Sequence, residues 1–364
     1  MKDTAFLPMH EEHGAKLVEF AGFRMPVSYA GIIEEHRAVR SRVGVFDVSH
    51  MGEFRVTGPD AAALVQKVTT NDVGRIAKGK VQYSAMCLPA GGIVDDLLVY
   101  HLGDSFLLVV NASNLEKDLA WLRSAAAGLR AEIRNESDAT SLLAVQGPRS
   151  HEVLKAAAGR DLSAMTYYSW TELPVGGIPA LVSRTGYTGE AGYEIYFDSS
   201  AASARTMWDS LMAAGKEHGI VPVGLGARDT LRLEMGYCLY GNDIGESTNP
   251  LEAGLGWITK FDKGEFIGRG PLLAIRESGT KRRLTGFTLD EPKAFPRQHY
   301  PLGAGGKEVG EVTSGTLSPT LERGIGMGYL PIPLTAPGTR ISVIIRGKPA
   351  PATTVRFPFV KSNI

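Results

Sequence analysis

Residues 91–100 read Gly91-Gly92-Ile93-Val94-Asp95-Asp96-Leu97-Leu98-Val99-Tyr100. A glycine turn leads into an apolar run with strand character, and two adjacent carboxylates stand at its entrance. Together with Val81–Cys87 on the other side of Pro89-Ala90-Gly91-Gly92, the run predicts a pair of strands about a tight turn. Asp is depleted in strands, so the pair at the entrance needs a reason. Neighbouring side chains of a strand point to opposite faces. Asp96 therefore shares a face with Leu98 and Tyr100, and parity directs it inward. Asp95, on the opposite face, is expected only to solvate the turn. Taken alone, the stretch reads first as a charged turn that opens a hairpin; the rest of the chain reverses that weighting.

At 364 residues the chain is long enough for two or three domains. Hydrophobic content of 43% and charged content of 21% are those of an ordinary globular protein. Net charge is formally zero, which favours neither nucleic acid nor a membrane surface as partner. The 43 glycines and 20 prolines imply many tight turns between short segments, hence antiparallel sheet over long helices. Cys87 and Cys238 stand far apart and read as reduced core thiols of a cytosolic-type compartment. The eight histidines form no HxxxH or HxH, so no metal site is expected. No apolar run is long enough to span a membrane. Met1 to His13 lacks the basic-then-apolar pattern of a signal peptide, and a cytoplasmic location is expected.

Periodicity predicts helices over 33–43, 60–67, 114–127, 202–218 and 227–235, with Asp60 and Asn114 as N-caps. Strands are expected at 45–48, 81–87, 93–102, 106–110 and from 142. Two more, 180–183 and 192–197, flank Arg184-Thr185-Gly186-Tyr187-Thr188-Gly189-Glu190. From about residue 283 short β-like pieces alternate with turns, which suggests a small closed or sandwiched β domain. Gly324-Ile325-Gly326-Met327-Gly328 resembles a dinucleotide-binding turn only superficially, since Pro331 and Pro333 forbid a following helix; NAD and FAD binding are rejected.

Six segments resemble the aminomethyltransferase (T-protein) of the glycine cleavage system. They are His13–Lys16 continuing through Phe20-Ala21-Gly22-Phe23, Phe46-Asp47-Val48-Ser49-His50-Met51-Gly52-Glu53, Thr69-Thr70-Asn71-Asp72-Val73, the 91–100 stretch, Gly186–Glu190 with Gly192-Tyr193-Glu194, and Ala227-Arg228-Asp229-Thr230-Leu231-Arg232-Leu233-Glu234. A C-terminal run, Gly310 to Pro319 and Gly326-Met327-Gly328-Tyr329, adds to them. The resemblance implies an α+β fold: a three-domain cloverleaf of mainly antiparallel sheets with flanking helices, ending in a β-barrel-like domain, around a central folate channel. On that pattern residues 1–270 form the folate-binding region, with two intertwined subdomains of which one is about 53–138, and 271–364 form the barrel-like domain. The implied reaction moves the aminomethyl group from the lipoyl arm of H-protein to the co-substrate tetrahydrofolate. Its products are 5,10-methylenetetrahydrofolate, ammonia and dihydrolipoyl H-protein.

By the same resemblance Asp96 is the essential carboxylate. A carboxylate aimed at folate's weakly basic bridging nitrogen orients it and takes up its proton as the methylene bridge closes. Glu194 corresponds to the reader of the pterin edge, where a carboxylate accepts from a ring N–H and an amine. Tyr193 and Glu194 point to opposite faces, so one of them enters the channel; Glu190 reads equally well as a turn residue. Arg228 and Arg232 lie on one helix face, where a solvated ion-pair run with Asp229 and Glu234 is the plain alternative; the resemblance gives Arg228 to the folate tail. Tyr83, Tyr100 and Asn111 match further folate-lining positions, the tyrosines as aromatic walls. Met51 matches a ligand contact, and the neighbouring His50 reads as a satisfied structural histidine. Tyr187 and Trp257 are further lining candidates. The chain ends in Lys361-Ser362-Asn363-Ile364, without the aromatic-bearing tail of the family pattern, so no contact is carried over there. Two other readings stand beside this one: an enzyme of the same fold with another one-carbon donor, and a folate binder without transfer activity. A pure binder has no need of a carboxylate at the bridging nitrogen.

Overall fold

The computed structural model describes every residue of the chain except Lys293. A six-stranded sheet runs in the order Trp170–Val175, Ile178–Ser183, Gly192–Asp198, Thr140–Gln146, Val43–Asp47, Ile220–Pro222. All its pairs are antiparallel except the last. A five-stranded antiparallel sheet runs Val81–Cys87, Ile93–His101, Phe106–Val110, Gly52–Thr57, Glu132–Asn135. It is inserted between two neighbours of the first sheet: the chain leaves after Asp47, returns at Thr140, and Val45 pairs with Val145. Six antiparallel strands between Arg282 and Val355 form a closed barrel. A three-stranded ribbon from the first 28 residues completes the sheets. The α+β class and the C-terminal barrel expected from the sequence are both present.

Two strands show why the sheets stack. Phe106–Val110 is apolar and buried at every position. Phe106, Leu108 and Val110 face a core covered by the helices Ala61–Val68 and Leu115–Ala125, while Leu107 and Val109 face a second core shared with Phe46, Leu142, Ala144 and Tyr196. A strand covered on both faces loses the polar–apolar alternation. Thr140–Gln146 mirrors it from the other sheet. Leu143 and Val145 pack with Trp208 of the helix Ala201–Gly215, and Leu142 and Ala144 enter the shared core. A further apolar contact through Ala85, Ile93, Leu233, Met327 and Tyr329 joins the five-stranded sheet to the barrel by way of the helix Leu225–Glu234.

The run 324–328 lies inside the barrel strand Arg323–Pro331. A Cβ at Gly326 would stand 2.5 Å from the ring of Phe287, so glycine there makes room for a core aromatic. Both expected N-caps hold their positions but not their hydrogen bonds. Asp60 instead accepts from the backbone and guanidinium of Arg130. Asn114 turns its amide toward Asp95. Among the described residues no helix is long and apolar enough to cross a membrane.

Candidate active site

The site begins with a defect in the hairpin. Met86 faces Asp95 and Cys87 faces Ile93, which leaves Val94 as an extra residue, a β-bulge. The loop 245–248 seats it: the Ile93 N–H donates to the Gly245 and Thr248 carbonyls at 3.2 and 3.0 Å. A Cβ at Gly92 would come 2.0 Å from the Glu246 carbonyl oxygen, so this approach requires glycine. The bulge turns Val94 and Asp95 to the same side, the core that also holds Leu97 and Val99. Beyond it alternation resumes, and Asp96 shares the face of Leu98 and Tyr100, which border the shared core.

Asp96 accepts hydrogen bonds from the Tyr83 hydroxyl at 2.7 Å and from the Asn111 amide at 2.9 Å. Burial pushes its carboxyl up to about 7, the adjacent Asp95 charge pushes the same way, and the two hydrogen bonds restrain the rise. Asp95 corrects the expectation of a turn-solvating residue: it is 0% exposed. The helix Leu115–Ala125 and the segment before it close over that face. Asp95 accepts from the Asn111 amide at 2.8 Å, the Asn111 N–H at 3.0 Å and the Asn114 amide at 2.6 Å. Asn111 thus clamps both carboxylates at once.

Glu194 projects from the strand Gly192–Asp198 and accepts from the Thr185 hydroxyl. Tyr193 points the other way, into the core around Trp208, as parity predicts. Behind Thr185 stands a hydroxyl chain: Thr185 meets Ser183 at 2.6 Å, and Tyr100 meets Ser183 at 3.1 Å and Tyr196 at 2.8 Å. Tyr100 is 0% exposed, so its ring is no channel wall; it supports the hydroxyls behind Glu194. Burial raises the Glu194 carboxyl, and Thr185 and the Arg228 charge work against that rise.

Arg228 lays its guanidinium 4.7 Å from the centre of the Tyr187 ring. Burial lowers its proton affinity, while Tyr187 and Glu194 favour the cation. Among the described residues its guanidinium donates no hydrogen bond, which leaves the whole fork unspent. Arg232 is the opposite case, 1% exposed and bonded to Asp243 and Asp229, each at 2.7 Å, and to Ser314 at 2.8 Å. The helix face is therefore not a solvated ion-pair run: one arginine is pinned and the other is free. Burial also raises the Tyr168 hydroxyl, with Tyr237, Glu194 and Asp96 adding to the rise.

Tyr83 lies 6.0 Å from Trp257, which is 60% exposed at the rim. Met51 is half-buried at the edge of the shared core. His50 is buried, but among the described residues its Nδ1 has no partner, contrary to the expected satisfied histidine. Burial and then the Arg228 charge lower it to about 4, so it is neutral at pH 7. Glu190 is buried against Arg40 at 3.0 Å and takes the Asn363 amide at 2.9 Å. It anchors the C-terminal tail, a contact the sequence did not suggest. An open groove of about 910 Å³ beside Ile32, Arg37, Asp229 and Thr316 is lined by none of Asp96, Glu194, Arg228 and Tyr83, and among the described residues its lining carboxylates, Glu34 and Asp229, are not buried.

Asp118 escaped the sequence reading, and Asn114 entered it only as an N-cap. They stand four apart on one helix face, a spacing that two polar residues in an otherwise amphipathic stretch make visible. Asp118 is 0% exposed, and among the described residues neither of its oxygens finds a donor.

A family model described as the GCVT N-terminal domain matches residues 6–263, and one described as the glycine cleavage T-protein C-terminal barrel domain matches 282–361. The chain belongs to the glycine cleavage T-protein family. It is 51% identical to an aminomethyltransferase of Halothermothrix orenii, covering 99% of this chain and 100% of that one. It is also 51% identical to an aminomethyltransferase of Moorella thermoacetica, over 99% of each. The crystal structure of glycine cleavage system aminomethyltransferase T from Bartonella henselae superposes with a TM-score of 0.92 at 33% identity, over 100% of this chain and 99% of that one. As a T-protein family member the chain is a transferase, an aminomethyltransferase of the glycine cleavage system.

Proposed function

We propose that the chain uses tetrahydrofolate as acceptor and the lipoyl arm of H-protein as the carrier of the aminomethyl group. The observation that carries this reading is unspent hydrogen-bonding capacity around one place. Asp96 is a half-buried carboxyl whose proton affinity is tuned to neutrality, Glu194 bonds within the protein through one oxygen, and Arg228 has a free fork. A flat heterocycle with N–H donors on one edge, a secondary aromatic amine in the middle and carboxylates at its tail has complementary groups in that order. Glu194 accepts from the pterin edge, Asp96 meets the bridging nitrogen, and Arg228 takes the tail. Asn111, Tyr83 and Met51 complete the folate side. Tyr100 acts at one remove, by orienting the hydroxyls behind Glu194.

In the transfer, the two folate nitrogens form bonds to the donor's methylene carbon while its bonds to nitrogen and sulfur break. The two displaced N–H protons balance ammonia and the lipoyl thiol. Asp96 accepts the proton of the bridging nitrogen as the ring closes, a role for which a carboxyl near neutrality is matched. No covalent intermediate on the protein is required; rate comes from positioning and from fixed charges. The test is turnover of aminomethylated H-protein with tetrahydrofolate, scored as ammonia release. Tight folate binding without ammonia release would leave a binder, and release that needs a different one-carbon donor would leave the sister-enzyme reading.

A further inference from the structure

The Asp95 carboxylate accepts three N–H donors, two from Asn111 and one from Asn114. That number of donors belongs to an ionised carboxylate. Asp118, projecting from the helix Leu115–Ala125, meets the same carboxylate, and among the described residues neither of its oxygens accepts a hydrogen bond. Two carboxylates cannot share a dry site while both are charged, so one proton must stay with the pair. The donor count assigns it to Asp118.

We propose that Asp118 is a positioning residue for Asp96: a permanently protonated acid that donates to Asp95, keeps Asp95 anionic, and through it fixes the Asn111 clamp and the electrostatic setting of Asp96. The proposal rests on the reading of Asp96 as the reacting carboxylate. The energetic direction agrees with the geometry. Burial first, and then the Asp95 charge, push Asp118 up to about 11. Among the described residues the cation that opposes this is Lys117, which is committed to the Val94 carbonyl at 2.7 Å and the Tyr240 hydroxyl at 2.6 Å. The groups that feel Asp96 from other elements are Tyr83, Tyr168, Tyr187, Cys238 and Tyr240, each of them raised by burial and neutral near pH 7. Asp95 is thus the anion that sets Asp96, and Asp118 is what keeps Asp95 an anion.

The experiment is a carbon-13 NMR titration of the full-length protein labelled at the aspartate carboxyls, from pH 5 to 9, with resonances assigned by loss in Asp96→Asn and Asp118→Asn. One carboxyl should stay protonated throughout and vanish in Asp118→Asn. Asp118→Asn retains a donor to Asp95, so the Asp96 midpoint should hold. In Asp118→Leu the three N–H donors remain but the acid donor is lost to an apolar side chain; burial, which already raises Asp95, then outweighs them, Asp95 takes up a proton within the titrated range, and as that like charge fades the Asp96 midpoint should fall by about one pH unit. A packing role alone predicts a fixed midpoint in both variants. An ionised Asp118 at pH 7, or an unmoved midpoint in Asp118→Leu, overturns the proposal. Should the leucine variant not fold, the wild-type and Asp118→Asn spectra decide by themselves. No substrate enters these titrations, so failure of the folate reading and failure of this inference are separately visible.

Discussion

Asp96→Asn should cost activity and return stability, with a pH dependence that identifies the cause. The carboxyl is moved from 3.8 to about 7, first by burial and then by Asp95. At about 1.4 kcal/mol per decade of proton affinity, that is at most about 4 kcal/mol stored against the native state once Asp96 ionises. The sign follows from a folded-state affinity above the unfolded one: the native state holds the proton to higher pH, so stability falls as pH rises from about 4 to 7 and is constant above. Asparagine removes that burden. It also turns an N–H₂ toward the Asn111 amide, a donor, or toward the Tyr83 hydroxyl, which must then accept where it had donated, at about 1–3 kcal/mol for the lost match. At pH 8 the variant should therefore exceed the wild type by about 1–3 kcal/mol, and by pH 5 the advantage should vanish or reverse. Turnover should fall by roughly 10²–10⁴ with folate binding largely retained. Urea unfolding at pH 5, 6.5 and 8 measures the first expectation and ammonia release the second. Parallel stability curves across that range would show that Asp96 is not a strained carboxyl, and Asp95→Asn matching its loss of turnover would refute the assignment of roles within the pair.

Glu194→Gln puts a donor opposite the pterin's own donors and should weaken folate by about 1–3 kcal/mol in calorimetric titration; unchanged affinity would move pterin reading elsewhere. Arg228→Ala should weaken folate while association with H-protein stays nearly intact, whereas a bland ion pair predicts less than about 1 kcal/mol of lost stability and no change in ligand binding. Tyr83→Phe deletes a hydrogen bond that holds Asp96 down. The acid limb of the kcat profile should move to higher pH, and a shift the other way would remove Tyr83 from the site.

Parity located Asp96 from sequence because the residues used, Leu98 and Tyr100, lie on the same side of the bulge. It misjudged Asp95 because alternation says which face a residue takes and not what covers that face. Here the cover is a helix that starts some twenty residues later and brings Asn114 and Asp118 with it. Tyr100 failed as a wall for a related reason: two sheets close over it, and only the long-range pairing of Thr140–Gln146 with the strands on either side reveals that. The all-apolar strand 106–110 did announce burial on both faces. Arg228 and Arg232 could not be told apart by spacing, since the difference lies in Asp243 and Ser314, eleven and 82 residues away from Arg232. The docking of Asn363 on Glu190 had no signal at all in a short polar tail.

The arrangement also explains what the barrel contributes to a site that lies outside it. Arg228 has nothing to hold its guanidinium except the ring beneath it, so its position depends on the helix Leu225–Glu234. That helix is fastened at its far end by buried charges. Arg232 joins Asp243 and barrel residue Ser314, while Glu234 takes the Ser318 and Thr320 hydroxyls of the barrel and the Arg40 guanidinium. Buried ion pairs of this kind contribute little net stability, because desolvation offsets their attraction, but they tolerate few alternative geometries. Spending them beside a free arginine trades stability for position. The same exchange recurs on the other side of the site, where three donors and a protonated acid hold Asp95 so that Asp96 stands at one place with one proton affinity. Both halves use buried polar networks to fix a partner with hydrogen-bonding capacity to spare, and those partners are the groups proposed to meet the substrate.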